Sequence, residues 1–188
     1  MRLAHGVGIN DADYPIYTTI NGTTIKCPYN TIWSVMIQRC YSERFQDKYP
    51  TYKGCTVDDR WIRFMQFRDW MMTQDWEGKS LDKDIIVPGN KVYGPDTATF
   101  VTRDTNQFIV DRSRSRGQYP IGACWHSRQK KFAAQIGNGS GKPITLGYFD
   151  TAQDAHLAWK AEKHRQALVL ADKQTDSRVA EALRIRYL

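Results

Sequence analysis

Apolar residues recur along this chain with two different periods. From Asn30 onward the run TIWSVMIQRCY puts Trp33, Met36, Ile37 and Cys40 at i, i+3, i+4 and i+7, the spacing of one helix face. The pattern predicts a helix capped by Asn30 or Thr31. The run WIRFMQFRDWMM repeats that period with Trp61, Phe64, Met65 and Phe67 or Arg68, so a second helix is expected to start near Asp58 or Asp59. Its aromatics read as core packing rather than as a stacking platform for bases. Between the two, ERFQDKYPTYKGC holds Tyr49, Pro50 and Gly54 as breakers and predicts a loop. Ahead of both, residues 1–28 are rich in Gly, Asp and Thr. They read as an arm, open to being flexible, with a small hairpin at Asn21-Gly22, whose residue types suit the positive dihedrals of a two-residue turn.

After Ser80 the apolar residues come in short groups broken by Pro88-Gly89-Asn90 and Gly94-Pro95. A strand over Leu81–Val87 is expected, then a turn, a short strand near Val92–Tyr93, and a helix or extended segment entering at Pro95-Asp96. Strand alternation would set Asp82 and Asp84 on one face. Beyond residue 118 the segments YPIGACWH, KKFAAQI and PITLGYF predict three antiparallel strands. A helix from Thr151 or Ala152, with Ala155, Ala158 and Trp159 on an alanine-rich face, would cover one side of that sheet, and Thr151 with Asp154 forms a capping box. The other side stays bare. That helix continues through KHRQALVLA. A last helix, capped by Asp176 or Ser177, carries Val179, Leu183 and Ile185 as a narrow stripe, suited either to folding back or to self-association. The expected fold class is α+β. An N-terminal helical region with a ββα core (29–110) is followed by a linker (111–119), a three-stranded antiparallel sheet packed on one long helix (120–170), and a C-terminal helix (171–188).

Charge divides the chain at the same place. Residues 111–188 hold 14 Lys and Arg against 7 Asp and Glu, whereas residues 1–110 hold 13 of each, so the whole net charge of +7 lies in the second part. A neutral body joined to a basic module points to a polyanion as partner, since Lys and Arg supply most sequence-independent affinity for nucleic acid. The linker DRSRSRGQYP alternates Arg112, Arg114 and Arg116 with serine, a composition suited to tracking a phosphate backbone or to serving as a solvated hinge. Cys27, Cys40, Cys55 and Cys124 are scattered without a CxxC pair, which predicts reduced thiols and a cytoplasmic protein. A zinc site built on Cys27, Cys40 and Cys55 has no supporting spacing, so zinc is not expected. No membrane segment or secretory leader is read from the sequence.

The segment carrying LDKD, GNK, YGP and Asn106 resembles the core of phage HNH endonucleases of the homing type. The resemblance implies a ββα metal-dependent nuclease site and DNA as substrate, with the host cytoplasm as its place of action. It would make Asp82, Lys83 and Asp84 the catalytic residues. Asp82 and Asp84 would hold Mg²⁺ through hard oxygen ligands, Asn90 or Asp96 would complete the shell, and Lys83 would stabilise charge on the phosphate. One departure is marked. Where that family places a histidine general base, this chain has Asp82-Lys83-Asp84, and residues 60–120 contain no histidine.

The C-terminal segment resembles the Apetala-two/ethylene-response-factor (ERF) DNA-binding domain, through Gly122, Lys131-Phe132-Ala133-Ala134, Ile136, Leu146-Gly147, Phe149, Ala152 and Asp154-Ala155. That family lays its sheet in the major groove of double-stranded DNA. His126, Arg128, Lys130, Lys131, Gln135 and Thr145 fall where the resemblance puts contacts. Arg128 would read guanine or clamp phosphate, Gln135 would pair with adenine, and Lys131 would meet phosphate. The arginine-rich first strand and third-strand tryptophan of the plant domains are absent, so their target sequence is not carried over. Trp125 and Phe132 read as sheet and core residues. Two functions remain open. One is a metal-dependent DNA endonuclease. The other is a catalytically inactive DNA-binding protein that regulates or counters defence by occupying DNA or by binding a host protein.

Overall fold

A computed structural model describes residues 3–110, 117–137 and 142–188. The chain divides into two compact units, Met1–Phe108 and Ile109–Leu188. The division falls close to the boundary that charge marks.

In the first unit, helix α1 (Pro28–Tyr41) buries Trp33, Met36, Ile37 and Cys40 as the period requires. It begins two residues ahead of the expected cap. Pro28, which needs no hydrogen-bond acceptor for its nitrogen, opens the helix, so Asn30 lies inside it and is buried. The loop expected after α1 contains a second helix, α2 (Glu43–Lys48), whose first turn is capped where the Phe45 N–H donates to Ser42 Oγ at 3.4 Å. Six residues carry no helical period that could betray it. A 3-10 turn over Asp59–Trp61 precedes α3 (Phe64–Met72), which buries Phe64, Phe67 and Met71. Trp61 packs edge-on to Phe67 at 5.1 Å, and Trp33 Nε1 donates to the Trp61 carbonyl at 2.8 Å, tying α1 to the turn that leads into α3. These aromatics form the core, as their spacing implied.

The hairpin at Asn21-Gly22 is present as β1 (Tyr17–Ile20) and β2 (Thr23–Lys26), with both turn residues at positive φ. The segment before it is no free arm. Ile9 exchanges backbone hydrogen bonds with Ile62 and Phe64, the Met65 N–H donates to Asp11 Oδ1 at 3.0 Å, and Tyr14 packs on Phe64.

The strands of this unit pair differently from the sequence expectation. β4 spans only Ser80–Asp82, and it pairs antiparallel with β6 (Thr99–Val101), not with β5 (Val92–Tyr93). β5 pairs in parallel with β3 (Thr56–Val57). The strand stops at Asp82 because Asp82 Oδ1 accepts the N–H groups of Asp84 and Ile85 at 3.0 and 2.8 Å, which turns the chain out of the ladder. No helix starts at Pro95. Helix α4 (Arg103–Ile109) follows β6, with Asn106 in its span.

The second unit follows the expectation closely. β7 (Ala123–His126), β8 (Lys131–Gly137) and β9 (Pro143–Phe149) form one antiparallel sheet, and α5 (Ala152–Ala171) lies against it. The Asp154 N–H donates to Thr151 Oγ1 at 3.0 Å, and the Thr151 hydroxyl donates to Asp154 Oδ2 at 2.7 Å. Ala155 and Trp159 are buried beside Ala134 and Ile136. Helix α6 (Ser177–Ile185), capped by Asp176, folds back on α5, burying Val179 and Leu183 near Ala167 and Ala171, while Ile185 stays exposed. Trp125 is a sheet residue, as expected, paired with Phe132 and meeting its ring edge-on at 5.0 Å, yet it is 47% exposed and so no core residue.

Candidate nucleic-acid interface

Register decides which side chains share a face of the C-terminal sheet. Directly paired residues of antiparallel strands point to the same side, as do alternate residues of one strand. His126 pairs with Lys131, Cys124 with Ala133, Ala133 with Tyr148, and Gln135 with Thr145. All of these therefore stand on one face. Their contacts agree: Gln135 Nε2 donates to Thr145 Oγ1 at 3.5 Å, and the rings of His126 and Tyr148 meet edge-on at 5.1 Å across the small Ala133. The opposite face carries Ala123, Trp125, Phe132, Ala134, Ile136, Ile144 and Phe149, an apolar row against which α5 packs, burying Ala134 and Ile136 while Trp125 and Ile144 stay exposed.

Tyr148 was not among the expected contact residues, and simple alternation hides it. Counting by twos from Thr145 selects Gly147 and Phe149. The ladder has a register shift opposite Ala134 and Gln135, where Leu146 is the extra residue, so Thr145 and Tyr148 share a face although three positions apart. A Leu-Gly pair within a strand is the only local signal of such a bulge.

At one end of this face, residues 127–130 form the turn between β7 and β8. The Gln129 N–H donates to His126 Nδ1 at 3.3 Å, and Lys130 takes a left-handed φ of +49°. The turn holds Arg128 and Lys130 exposed. With Nδ1 engaged by the turn, His126 keeps Nε2 for any outside partner. Lys131, partly exposed, pairs with the largely exposed Asp150 at 3.1 Å, a contact that solvent screening makes weak and a phosphate can replace. Arg112, Arg114 and Arg116 lie outside the described residues.

The Asp82-Lys83-Asp84 segment is a different kind of site. Strand alternation does not bring Asp82 and Asp84 together, because the strand has ended. The turn around Asp82 does, and burial together with the neighbouring Asp84 carboxylate pushes the Asp82 carboxyl above the usual range. Lys83 is buried, with Nζ donating to the Asn90 carbonyl at 2.9 Å and to Asp84 Oδ2 at 3.1 Å. Asn90 Nδ2 donates to the carbonyls of Lys83 and Val92 at 2.6 and 2.7 Å, and its Oδ1 accepts the Val92 N–H.

These contacts bear on the ligand set that the resemblance implies. Both ends of the Asn90 amide are committed to backbone, and Asp96 accepts from Arg60 at 2.6 Å. Two carboxylates remain, one already neutralised by the buried Lys83 ammonium. They do not make the expected shell for Mg²⁺, whose octahedral preference calls for more oxygen donors or retained water. Lys83, held inward, is not presented to a phosphate. Among the described residues no group of three or more His, Cys, Asp or Glu side chains is placed to hold a metal. Cys27 instead contacts the Tyr14 hydroxyl at 3.5 Å, and burial pushes the Cys40 thiol up to about 12. No helix of the described residues is long and apolar enough to cross a membrane.

Comparison with known proteins finds no matching family model, no matching curated protein and no matching solved structure.

Proposed function

We propose that this chain binds double-stranded DNA through the polar face of the β7–β8–β9 sheet, and that the first unit is a scaffold through which it regulates or blocks access to DNA or meets a host protein. One observation carries the reading. His126, Lys131, Gln135, Thr145 and Tyr148 stand together on the face that α5 leaves open, with Arg128 and Lys130 on the adjoining turn. In the major groove, amide and guanidinium groups such as these read base edges and lysines meet phosphate. The net charge of +7, all contributed from residue 111 onward, supplies the sequence-independent attraction. Gel-shift titration on random and selected duplexes tests this. Binding that weakens steeply with salt and falls in an Arg128→Ala variant is expected; affinity indifferent to salt removes the proposal.

A second reading, metal-dependent cleavage, is favoured by the order β4–β6–α4 and by the convergence of the Asp82 and Asp84 carboxyls at the end of β4. Incubating supercoiled DNA with the protein and Mg²⁺ or Mn²⁺, against a chelator control, separates the two. Nicking that Asp82→Ala abolishes without loss of binding establishes the enzyme. Intact DNA that shifts in a gel leaves the binding protein.

A further inference from the structure

The first unit contains an open cleft of about 690 Å³ that neither reading of the function uses. One wall is helix α1, which lines it with Asn30, Trp33 and Ser34. Trp33 is fixed there, since its indole N–H donates to the Trp61 carbonyl at 2.8 Å. The rim is a tight turn. His5 and Gly6 both take left-handed φ, +49° and +77°, and close the chain between Ala4 and Gly8, whose backbone groups exchange hydrogen bonds at 2.8 and 2.9 Å. Gly8 lies so close to Trp33 that a Cβ would fall 2.9 Å from two ring atoms, so the turn is seated on α1. Tyr17, the first residue of β1, adds a ring that stays 55% exposed although Lys26 Nζ lies 5.9 Å from its centre. Within this lining Asn30 is 4% exposed, and its Nδ2 is buried without a hydrogen-bond partner. A buried amide donor without an acceptor is unfavourable, and the terminal torsion of asparagine is soft enough to turn the amide toward an acceptor in the cleft. Asn10 uses its Oδ1 to accept the Ala12 N–H at 3.3 Å, which leaves its Nδ2 for an outside acceptor. Among the described residues no Asp, Glu, Lys or Arg lines the cleft. An ionic ligand meets no fixed counter-charge there, and a sugar would set hydroxyls against Leu3, Ala4 and the rings without partners. A flat heterocycle, with acceptors on its edge and an apolar face, matches both the amides and the rings.

We propose that this cleft is a site for a purine base. The Asn30 amide pairs with the edge of the base, as asparagine pairs with adenine, Asn10 and Ser34 meet its remaining acceptors, and Tyr17 stacks on its face. The base belongs either to a free nucleoside, in which case the site stands alone, or to an unpaired position in DNA, in which case it rests on the DNA-binding reading.

The test titrates adenosine into the full chain, with ribose as control, while NMR follows the side-chain amides of Asn30 and Asn10 and the Trp33 indole N–H. Saturable shifts at both amides with adenosine, absent with ribose, are expected. Tyr17→Ala changes an exposed position and is expected to weaken binding about tenfold through loss of stacking. Asn30→Leu removes the unpartnered amide and is expected to weaken binding about tenfold or more while thermal stability holds or rises. No saturation, a response that ribose reproduces, or binding unchanged in both variants overturns the site. Should Asn30→Leu fail to fold, Tyr17→Ala and the Asn30 amide shifts decide. A duplex with one unpaired adenine and its fully paired counterpart are then added as competitors. Displacement of adenosine by the unpaired duplex alone assigns the base to DNA, whereas no displacement by either assigns it to a free nucleoside. Failure of the protein to bind either duplex sinks the DNA-binding reading and leaves the adenosine titration decisive.

Discussion

Gly122 lies against Trp159 so closely that a Cβ at residue 122 would fall on the ring atoms of that tryptophan, and its φ of +83° is one that side-chain-bearing residues rarely adopt. The contact joins the entry to β7 to the centre of α5, and Trp159 is almost fully buried by it. The same corner is held by His156, whose Nδ1 lies 2.8 Å from the Ile121 carbonyl oxygen. Gly122→Ala therefore strains the backbone and collides with the core at once. A loss of about 3 kcal/mol or more in the stability of the second unit is expected, measured by denaturant unfolding. In a Trp159→Ala background the same change is expected to weigh less, because the ring contacts are gone while the close approach to the residue 159 Cβ at 2.4 Å and the dihedral strain remain.

The open sheet face predicts a division of labour. Lys131→Ala is expected to weaken binding to all duplexes alike and to reduce the salt slope by about one. Gln135→Ala is expected to relax preference at a single base pair by about 1–3 kcal/mol of discrimination. Tyr148→Ala is expected to lower affinity with little change in slope, since it adds contact area rather than charge. Competition gel shifts across a randomised site read all three. Equal effects of Lys131→Ala and Gln135→Ala on every sequence would count against base reading by this face.

Lys83 and Asn90 form a closed clip in the first unit, and removing either leaves buried groups unsatisfied. Lys83→Ala strands the Asn90 carbonyl and is expected to destabilise by about 3 kcal/mol, as for loss of one partner of a buried pair. Asn90→Ala forfeits three side-chain to backbone bonds and is expected to destabilise by about 2 kcal/mol. Urea unfolding followed by tryptophan fluorescence measures both. Near-wild-type stability in both variants would return these residues to candidacy for a functional role.

Asp82 sets a pH dependence whose sign follows from its raised carboxyl. The charged form is disfavoured in the fold relative to the unfolded chain, so its contribution to stability is fully present below the ordinary carboxylate range and is lost as pH rises through the folded value. Asp82→Asn keeps an Oδ1 to accept from Asp84 and Ile85 while removing the charge. The variant is expected to exceed wild-type stability at neutral pH and to match it in acid. A variant less stable than wild type at pH 7 would show that the ionised carboxylate is needed.

Lys163 has the opposite chemistry and a different window. Its ammonium is held at about 8, below the ordinary lysine value of 10.5. Between those values the unfolded chain binds a proton that the fold does not, so stability rises with pH across that interval, and below it the penalty of burying the charge is constant. Lys163→Met is therefore expected to raise thermal stability at pH 7 and to lose most of that advantage by pH 10. An advantage that does not change with pH would trace to packing rather than to charge.

Much of this protein was determined by local chemistry that sequence displays directly. The period of Trp33, Met36, Ile37 and Cys40 made α1, Asn21-Gly22 made the first hairpin, and Thr151 with Asp154 opened α5, because caps, turns and amphipathic faces depend on residues within one or two turns of each other. The basic half and its three strands were legible for the same reason. Only tertiary structure decided the pairings over long separations. β5 chose β3 rather than β4, and β4 chose β6, because ladder partners compete for backbone groups whose positions no local pattern records. The convergence of Asp82 and Asp84 came from a turn that ended the strand, not from the alternation that suggested it. The bulge at Leu146 brought Tyr148 beside His126 and Thr145, and the fold-back of α6 set Tyr187 beside Lys163. One inserted residue changes which side of a sheet every later side chain faces, and burial assigns a charge its partners, so both depend on the assembled fold.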